Sequence, residues 1–327
     1  MTNWCKVEGV LTLRDVSQQR GESTTVGARV EELHLPKSRL ISGDYVLFVH
    51  GYNVSQLKAR ESYARFRWWL EEFKARSHVL EVHWPGDRKW GKFSAAAYPF
   101  KIGTARRCGR LLAEWIADRA EGCKLTLIGH SLGCRVVLET IENLREIAQV
   151  RQQPLISRIA NVCLMAAAAP VSYIMASQLG PRAGEEIRWH ILYSRGDWVL
   201  RIAFRLGQLA GFDPGHAIGL HGHPTAIWKT NRWELYQPRN SVENAKFYDH
   251  GYYWQGGPEE RVCEERCYWK RFLSPLPAIE PDNEGLSAEL VASMLGARVD
   301  RPLPIAQKPP PRTLRERALD AVRAIVW

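Results

Sequence analysis

The sequence predicts an α/β fold, a mostly parallel central sheet with helices on both faces, and three observations predict it. Apolar, β-branched runs recur at Val46–Val49, in HVLEVHW at 78–84, at Leu125–Ile128, at Asn161–Met165 and at Trp189–Tyr193. Such near-continuous apolar runs suit strands covered on both faces. Between them lie stretches of helical periodicity, and LIGHSLGCRVV at 127–137 reads as strand, sharp turn and helix.

Taken in order, residues 6–35 read as opening strands and turns, followed by the strand Val46–Val49. Ser55 to Arg76 reads as a helix with Leu57, Ala64, Phe66, Trp69, Leu70 and Phe73 on its apolar side, and Thr104 to Ala120 as another with Leu111, Leu112, Trp115 and Ile116 inward. After Gly133, Val137, Leu138, Ile141 and Leu144 recur at helical spacing. The strand Asn161–Met165 runs into Ala166–Ala169 and Pro170, small residues that let a chain pass close to a site or let helix and sheet pack. An inserted cap is expected over about 198–240, which holds the amphipathic WVLRIAFRLGQLAG and the His/Gly-rich GHAIGLHGHP. Residues 1–272 are thus read as one α/β domain. Residues 273–327 read as a Pro-rich tail with a short helical piece at Leu286–Leu295 and a terminal amphipathic helix in TLRERALDAVRAIVW.

Composition bounds the function. The 327 residues are 45 % apolar, enough to fill the core of one large domain. The net charge is +10, but the basic residues are interspersed with acidic ones, and no nucleic-acid module or phosphate-cradling Gly-rich loop is visible, so no nucleic acid is expected as partner. The seven cysteines lack paired metal spacing, which favours free thiols, and neither metal nor cofactor is expected; Cys263 and Cys267, four apart, are a weak metal signal. The N-terminus MTNWCKVEGVLTLRDV shows neither signal peptide nor anchor, so a cytoplasmic protein is expected; a specialised secretion machine would require no such leader. The C-terminal helix is read as docking on its own domain or a second subunit, with membrane-surface contact as the alternative.

The pentapeptide GHSLG puts Ser131 at the apex of a tight turn, where Gly129 and Gly133 leave room for strand and helix to approach. Such a turn exposes the hydroxyl and points the Leu132 amide, at a helix N-terminus, toward an anionic oxygen formed there. The alternative is a serine capping an ordinary helix. A second donor is expected from DYVLFVHGYNV at 44–54, where Gly51 lets the backbone approach a ligand and the Tyr52 amide points into the site; His50 is read as bracing this loop.

VLFVHGYN, then LEVHWPGD, then LTLIGHSLG, in this order, resemble the first half of an α/β-hydrolase. They resemble most a little-characterised, largely bacterial branch with an HGYN-type oxyanion loop and a W-P-G-D-like turn; the likeness spans about residues 40–255. It implies a triad in chain order Ser, acid, His. For the acid, Asp197 in SRGD closes the strand Trp189–Tyr193, with Asp213 as second choice and an ordinary surface turn as the alternative. For the base, His250 in FYDHGYYW matches D-H-x-x-Y/W segments of that branch; His216, His221 and His223 lie closer to Asp197 than the fold's usual interval, and are read as a polar loop, with metal binding as their alternative role. Trp84, Trp198 and Trp254 are candidate lining for an apolar substrate pocket, with core packing as the alternative.

The resemblance implies a serine hydrolase cleaving a carboxylic ester, with lipid esters and thioesters as sub-cases, through an acyl-enzyme. The reading from another class is a non-catalytic binding or scaffold protein that keeps the fold. A Ser131–His250 separation beyond hydrogen-bond reach would favour the latter.

Overall fold

The computed structural model describes residues 5–15, 25–35, 40–75, 77–87, 98–171, 184–193, 197, 199–204, 216–221, 233–236, 250 and 291–297. In chain order these form β1 (Cys5–Arg14), β2 (Val26–Leu33), β3 (Asp44–Val49), α1 (Gln56–Glu72), β4 (Ser77–His83), α2 (Tyr98–Arg119), β5 (Lys124–His130), α3 (Gly133–Arg151), β6 (Ile159–Met165), β7 (Arg188–Leu192), α4 (Ile218–His221) and β8 (Trp233–Tyr236). A 3-10 turn, Leu155–Arg158, leads into β6, and a π-helical turn, Val199–Ala203, follows β7.

The strands form one eight-stranded sheet in the order β2-β1-β4-β3-β5-β6-β7-β8, parallel throughout except for the antiparallel β1–β2 pair. The inner strands are buried on both faces past their first residue, which explains why β3 and β5 are predominantly apolar rather than alternating. Their register sets the site. Val49 pairs with Gly129, Gly129 with Leu164, His130 with Met165, and Met165 with Leu192, so four strands end along one rim. In open parallel sheets that carboxyl rim is where ligands bind.

Helix α1 starts at Ser55, whose side-chain oxygen accepts the Lys58 amide. Its buried face is Ala59, Tyr63, Phe66 and Leu70, at the 4-3-4 spacing of one helical stripe. That corrects two positions of the expected apolar side: Leu57 is 64 % exposed and Ala64 is also exposed, because they fall off this stripe, while Trp69 and Phe73 pack at its margin. Helices α2 and α3 pack so closely that a Cβ on Gly109 would lie 2.5 Å from the Cβ of Glu139. Val137, Leu138, Ile141 and Leu144 of α3 are all buried, as their spacing predicts.

Two expectations about domain organisation change in detail. Within the range expected for a cap, β8 pairs in parallel with β7 and extends the central sheet, so those four residues belong to the body. Residues 291–297, inside the expected tail, also pack on the body: Val291, Ala292 and Met294 are buried in the main core, and the Arg188 guanidinium donates to the Met294 carbonyl at 3.4 Å. Of the rest of the cap range, 199–204 and 216–221 are described, and Leu200, Phe204, Ala217, Ile218 and Leu220 are buried in the same core; its other residues, and those of the expected C-terminal amphipathic helix, lie outside the described residues. Among the described residues no helix is long and apolar enough to cross a membrane.

Candidate active site

Ser131 stands between β5 and α3 with φ +53°, a left-handed conformation that a non-glycine residue adopts at a cost. Hydrogen bonds hold it there. Its amide donates to Met165 O at 2.9 Å, and its own carbonyl accepts from Cys134 N and Ala168 N, both at 3.1 Å. The small residues after β6 therefore run directly beneath the serine, with Ala166–Ala169 all buried. Residues 216–220 support them in turn, through Ile218 N to Ala169 O, Gly219 N to Ala167 O and an isolated bridge between Pro170 and Ala217. A Cβ on Gly133 would collide with the His50 and Val49 carbonyl oxygens, which accounts for the second glycine of the pentapeptide.

The loop after β3 approaches the serine from the other side. A Cβ on Gly51 would lie 2.9 Å from the Ser131 Cβ and 3.0 Å from His130 Nδ1. His50 is buried and braces this loop: its amide donates to the Tyr63 hydroxyl at 2.7 Å, its Nδ1 donates to Gly51 O at 2.9 Å, and its ring stacks on Trp84. Burial, followed by the neighbouring His83, pushes the His50 pKa well below 6.5, so the ring is neutral. The W-P-G-D turn clamps the same loop, with Asn53 N donating to Gly86 O at 2.9 Å. That turn is tied down by the Arg14–Asp87 ion pair at 2.7 Å and by Lys101 Nζ donating to Pro85 O at 2.7 Å. Tyr52 is half-buried against the core at this loop, and Leu132 is the buried N-cap residue of α3.

Three expected residues come together at the rim. Ser131 Oγ lies 2.7 Å from His250 Nε2, and His250 Nδ1 lies 2.7 Å from Asp197 Oδ2. The Asp197 carboxylate is fully buried, and its other oxygen accepts the Leu200 amide at 2.9 Å, so the π-helical turn after it fixes the side chain. A buried carboxylate satisfied at both oxygens is held in one orientation.

The sequence reading passed over His130. Its Nε2 lies 2.6 Å from the carbonyl oxygen of His250, and the two rings are 5.2 Å apart. Burial, and then the neighbouring His250, lowers its pKa to about 3. The one signal in the sequence is a polar ring at the end of a strand, directly before Ser131.

Of the three tryptophans expected to line a pocket, Trp84 is corrected. It has no exposed surface and its indole N–H donates to His50 O at 2.7 Å, so it braces the loop from within the core. Trp198 and Trp254 lie outside the described residues, as do Asp213 and His223. His216 is exposed and joins the structure through its carbonyl, which accepts Val171 N. Among the described residues no group of three or more His, Cys, Asp or Glu could hold a metal ion. Cys108, Cys123, Cys134 and Cys163 are buried free thiols, and burial pushes the Cys108 thiol up to about 12.

Residues 31–212 match the family described as "Alpha/beta hydrolase of unknown function (DUF900)". Among solved structures, the chain is similar to a lipase-esterase related protein from Clostridium acetobutylicum ATCC 824, at 17 % identity over 42 % of this chain and 50 % of that one, with a TM-score of 0.23. It is also similar to the Tle1 effector bound to the VgrG spike from the Type 6 secretion system, at 9 % identity over 56 % of this chain and 49 % of that one, with a TM-score of 0.24. The matched regions thus span about half the length of each of these chains. No curated protein matches. With the family match covering more than half of its length, the chain belongs to the DUF900 family of α/β-hydrolases.

Proposed function

We propose that the chain is a serine hydrolase that cleaves a carboxylic ester, with lipid esters and thioesters as sub-cases. One observation carries the reading: a single imidazole, that of His250, has the Ser131 hydroxyl and the Asp197 carboxylate each 2.7 Å from its two nitrogens. This spacing favours catalysis over a non-catalytic binding role, because it is the reach a general base needs.

A serine hydroxyl is too weak an acid to ionise alone. In the proposed reaction His250 Nε2 takes the Ser131 proton as Oγ attacks the ester carbonyl, while Asp197 accepts the Nδ1 proton in a hydrogen bond, selects the tautomer and stabilises the imidazolium. The Tyr52 and Leu132 amides hold the tetrahedral oxyanion. His250 then returns the proton to the departing alcohol, and a water molecule, activated by the same imidazole, hydrolyses the acyl-enzyme.

The test is covalent labelling of the full chain with a fluorophosphonate, beside Ser131→Ala and His250→Ala, followed by turnover of p-nitrophenyl esters of increasing chain length. Labelling of the wild type that both substitutions abolish is the expected result. A folded wild type that neither labels nor turns over any ester would overturn the proposal.

A further inference from the structure

We propose that His130 is a positioning residue, which fixes the backbone of the base His250 relative to the nucleophile and to the loop after β3. The inference rests on the reading of Ser131, His250 and Asp197 as a working triad, and adds the element that holds its most remote member in place.

His250 is 119 residues from Ser131 and 53 from Asp197, and it reaches them from outside the regular elements of the sheet. Asp197 grips its ring at Nδ1, which sets how the imidazole is turned. It does not set where the backbone lies. That is the role of the hydrogen bond between His130 Nε2 and His250 O, at 2.6 Å. A carbonyl oxygen only accepts, so Nε2 carries the proton and the tautomer of His130 is defined. The rings lie 5.2 Å apart and are tilted by 50°.

The opposite edge of the His130 ring faces the loop after β3, where a Cβ on Gly51 would come within 3.0 Å of Nδ1. One imidazole is therefore packed between that loop and the base. It is itself immobilised, because His130 is the last residue of β5, in register with Met165, and only 5 % of its surface is exposed. The residue directly before the nucleophile thus transfers the precision of the sheet to His250. Burial keeps the ring neutral, which suits the place: His250 becomes a cation during proton transfer, and a second cation 5.2 Å away would oppose it. His130 supplies a donor without a charge, which neither lysine nor arginine could do.

The experiment compares the wild type with His130→Phe, which keeps the ring and loses the donor, His130→Gln, whose amide nitrogen reaches the Nε2 position, and His130→Asn, whose amide is too short to do so. Fluorophosphonate labelling rates and kcat and KM for a p-nitrophenyl ester are measured per titrated active site, so that a smaller folded fraction does not count as a slower enzyme. Misplacing a reacting group by about 1 Å costs on the order of 100-fold. His130→Phe and His130→Asn are therefore expected to lose about 100-fold in labelling rate and kcat with KM little changed, and His130→Gln to recover most of it. Should His130→Phe fail to fold, the Gln and Asn pair carries the same test. Variants that label at the wild-type rate, or a Gln variant as slow as Asn, would overturn the inference. A folded wild type that does not label fails at an earlier point, and removes the triad reading together with this one.

Discussion

Nδ1 of His250 lies 2.7 Å from Oδ2 of Asp197, a carboxylate with no solvent-exposed surface. The parallel sheet makes this meeting feasible. β7 ends beside β6, which ends beside β5, so the chain leaving β7 reaches the same rim as the turn that carries Ser131. The Leu200 amide holds the other carboxylate oxygen, so Asp197 is fixed from both sides.

That geometry makes Asp197→Asn informative. The amide oxygen can still accept from Leu200, so the turn survives, but the amide nitrogen then faces His250 and forces the tautomer whose Nε2 carries a proton. Such an imidazole cannot accept from Ser131. Loss of kcat by about 10⁴-fold is expected, with the thermal unfolding midpoint nearly unchanged. A variant that retains ester turnover near the wild-type rate would refute the role given to Asp197.

Gly51→Ala should separate activity from stability. The new methyl would lie 2.9 Å from Ser131 Cβ and 3.0 Å from His130 Nδ1, so the loop must retreat from the serine. Overpacking of this kind costs about 1–3 kcal/mol, measurable by urea unfolding. Turnover should fall further than stability, because the displaced loop carries the Tyr52 amide.

Helix α1 offers a test of which face is inside. Leu57→Gln should change unfolding free energy by no more than about 0.5 kcal/mol, since the side chain is largely in water. Leu70→Ala, at a fully buried position, should cost about 2–5 kcal/mol. Equal costs at the two positions would mean the helix is rotated from the orientation described.

Stability should fall with acid from about pH 6.5 downward. Burial lowers the pKa of His50, of His83 despite the opposing pull of Glu81, and of His130, the last to about 3. Between about 3 and the unfolded value of about 6.5, the unfolded chain binds a proton at position 130 that the folded one refuses, so stability is whole above the upper value and is lost as pH falls. Each such group contributes a slope of up to about 1.4 kcal/mol per pH unit. Glu81 adds to the loss at lower pH: burial raises its pKa, but the His83 hydrogen bond and the Arg67 charge outweigh that and leave it below 4.5, so its share is lost as pH falls below the ordinary value. Urea unfolding at pH 7 and pH 5 checks this; equal free energies at the two would contradict the buried neutral histidines.

The sequence by itself determined the elements and the turn at Ser131. Strands covered on both faces must be apolar, helices must show one apolar stripe, and a tight strand-to-helix turn needs small neighbours; each constraint acts within a few residues and is written in local order. Gly133 could be identified as necessary without knowing that the His50 carbonyl is what it must avoid. Asp197 and His250 are legible only with the help of the family resemblance, which supplies the chain order of the triad and the D-H-x-x-Y/W pattern around His250; apart from that likeness, a strand-ending carboxylate and a loop histidine do not show that they meet.

Only the tertiary structure decided which side chains meet. It turned Trp84 inward onto His50 O, left Leu57 in water, placed β8 in the sheet inside a range expected for a cap, and set His130 against the His250 backbone. The physical reason is common to all four. Burial and hydrogen-bond partners depend on strand register and on loops separated by up to 120 residues, and no local window of sequence contains that separation.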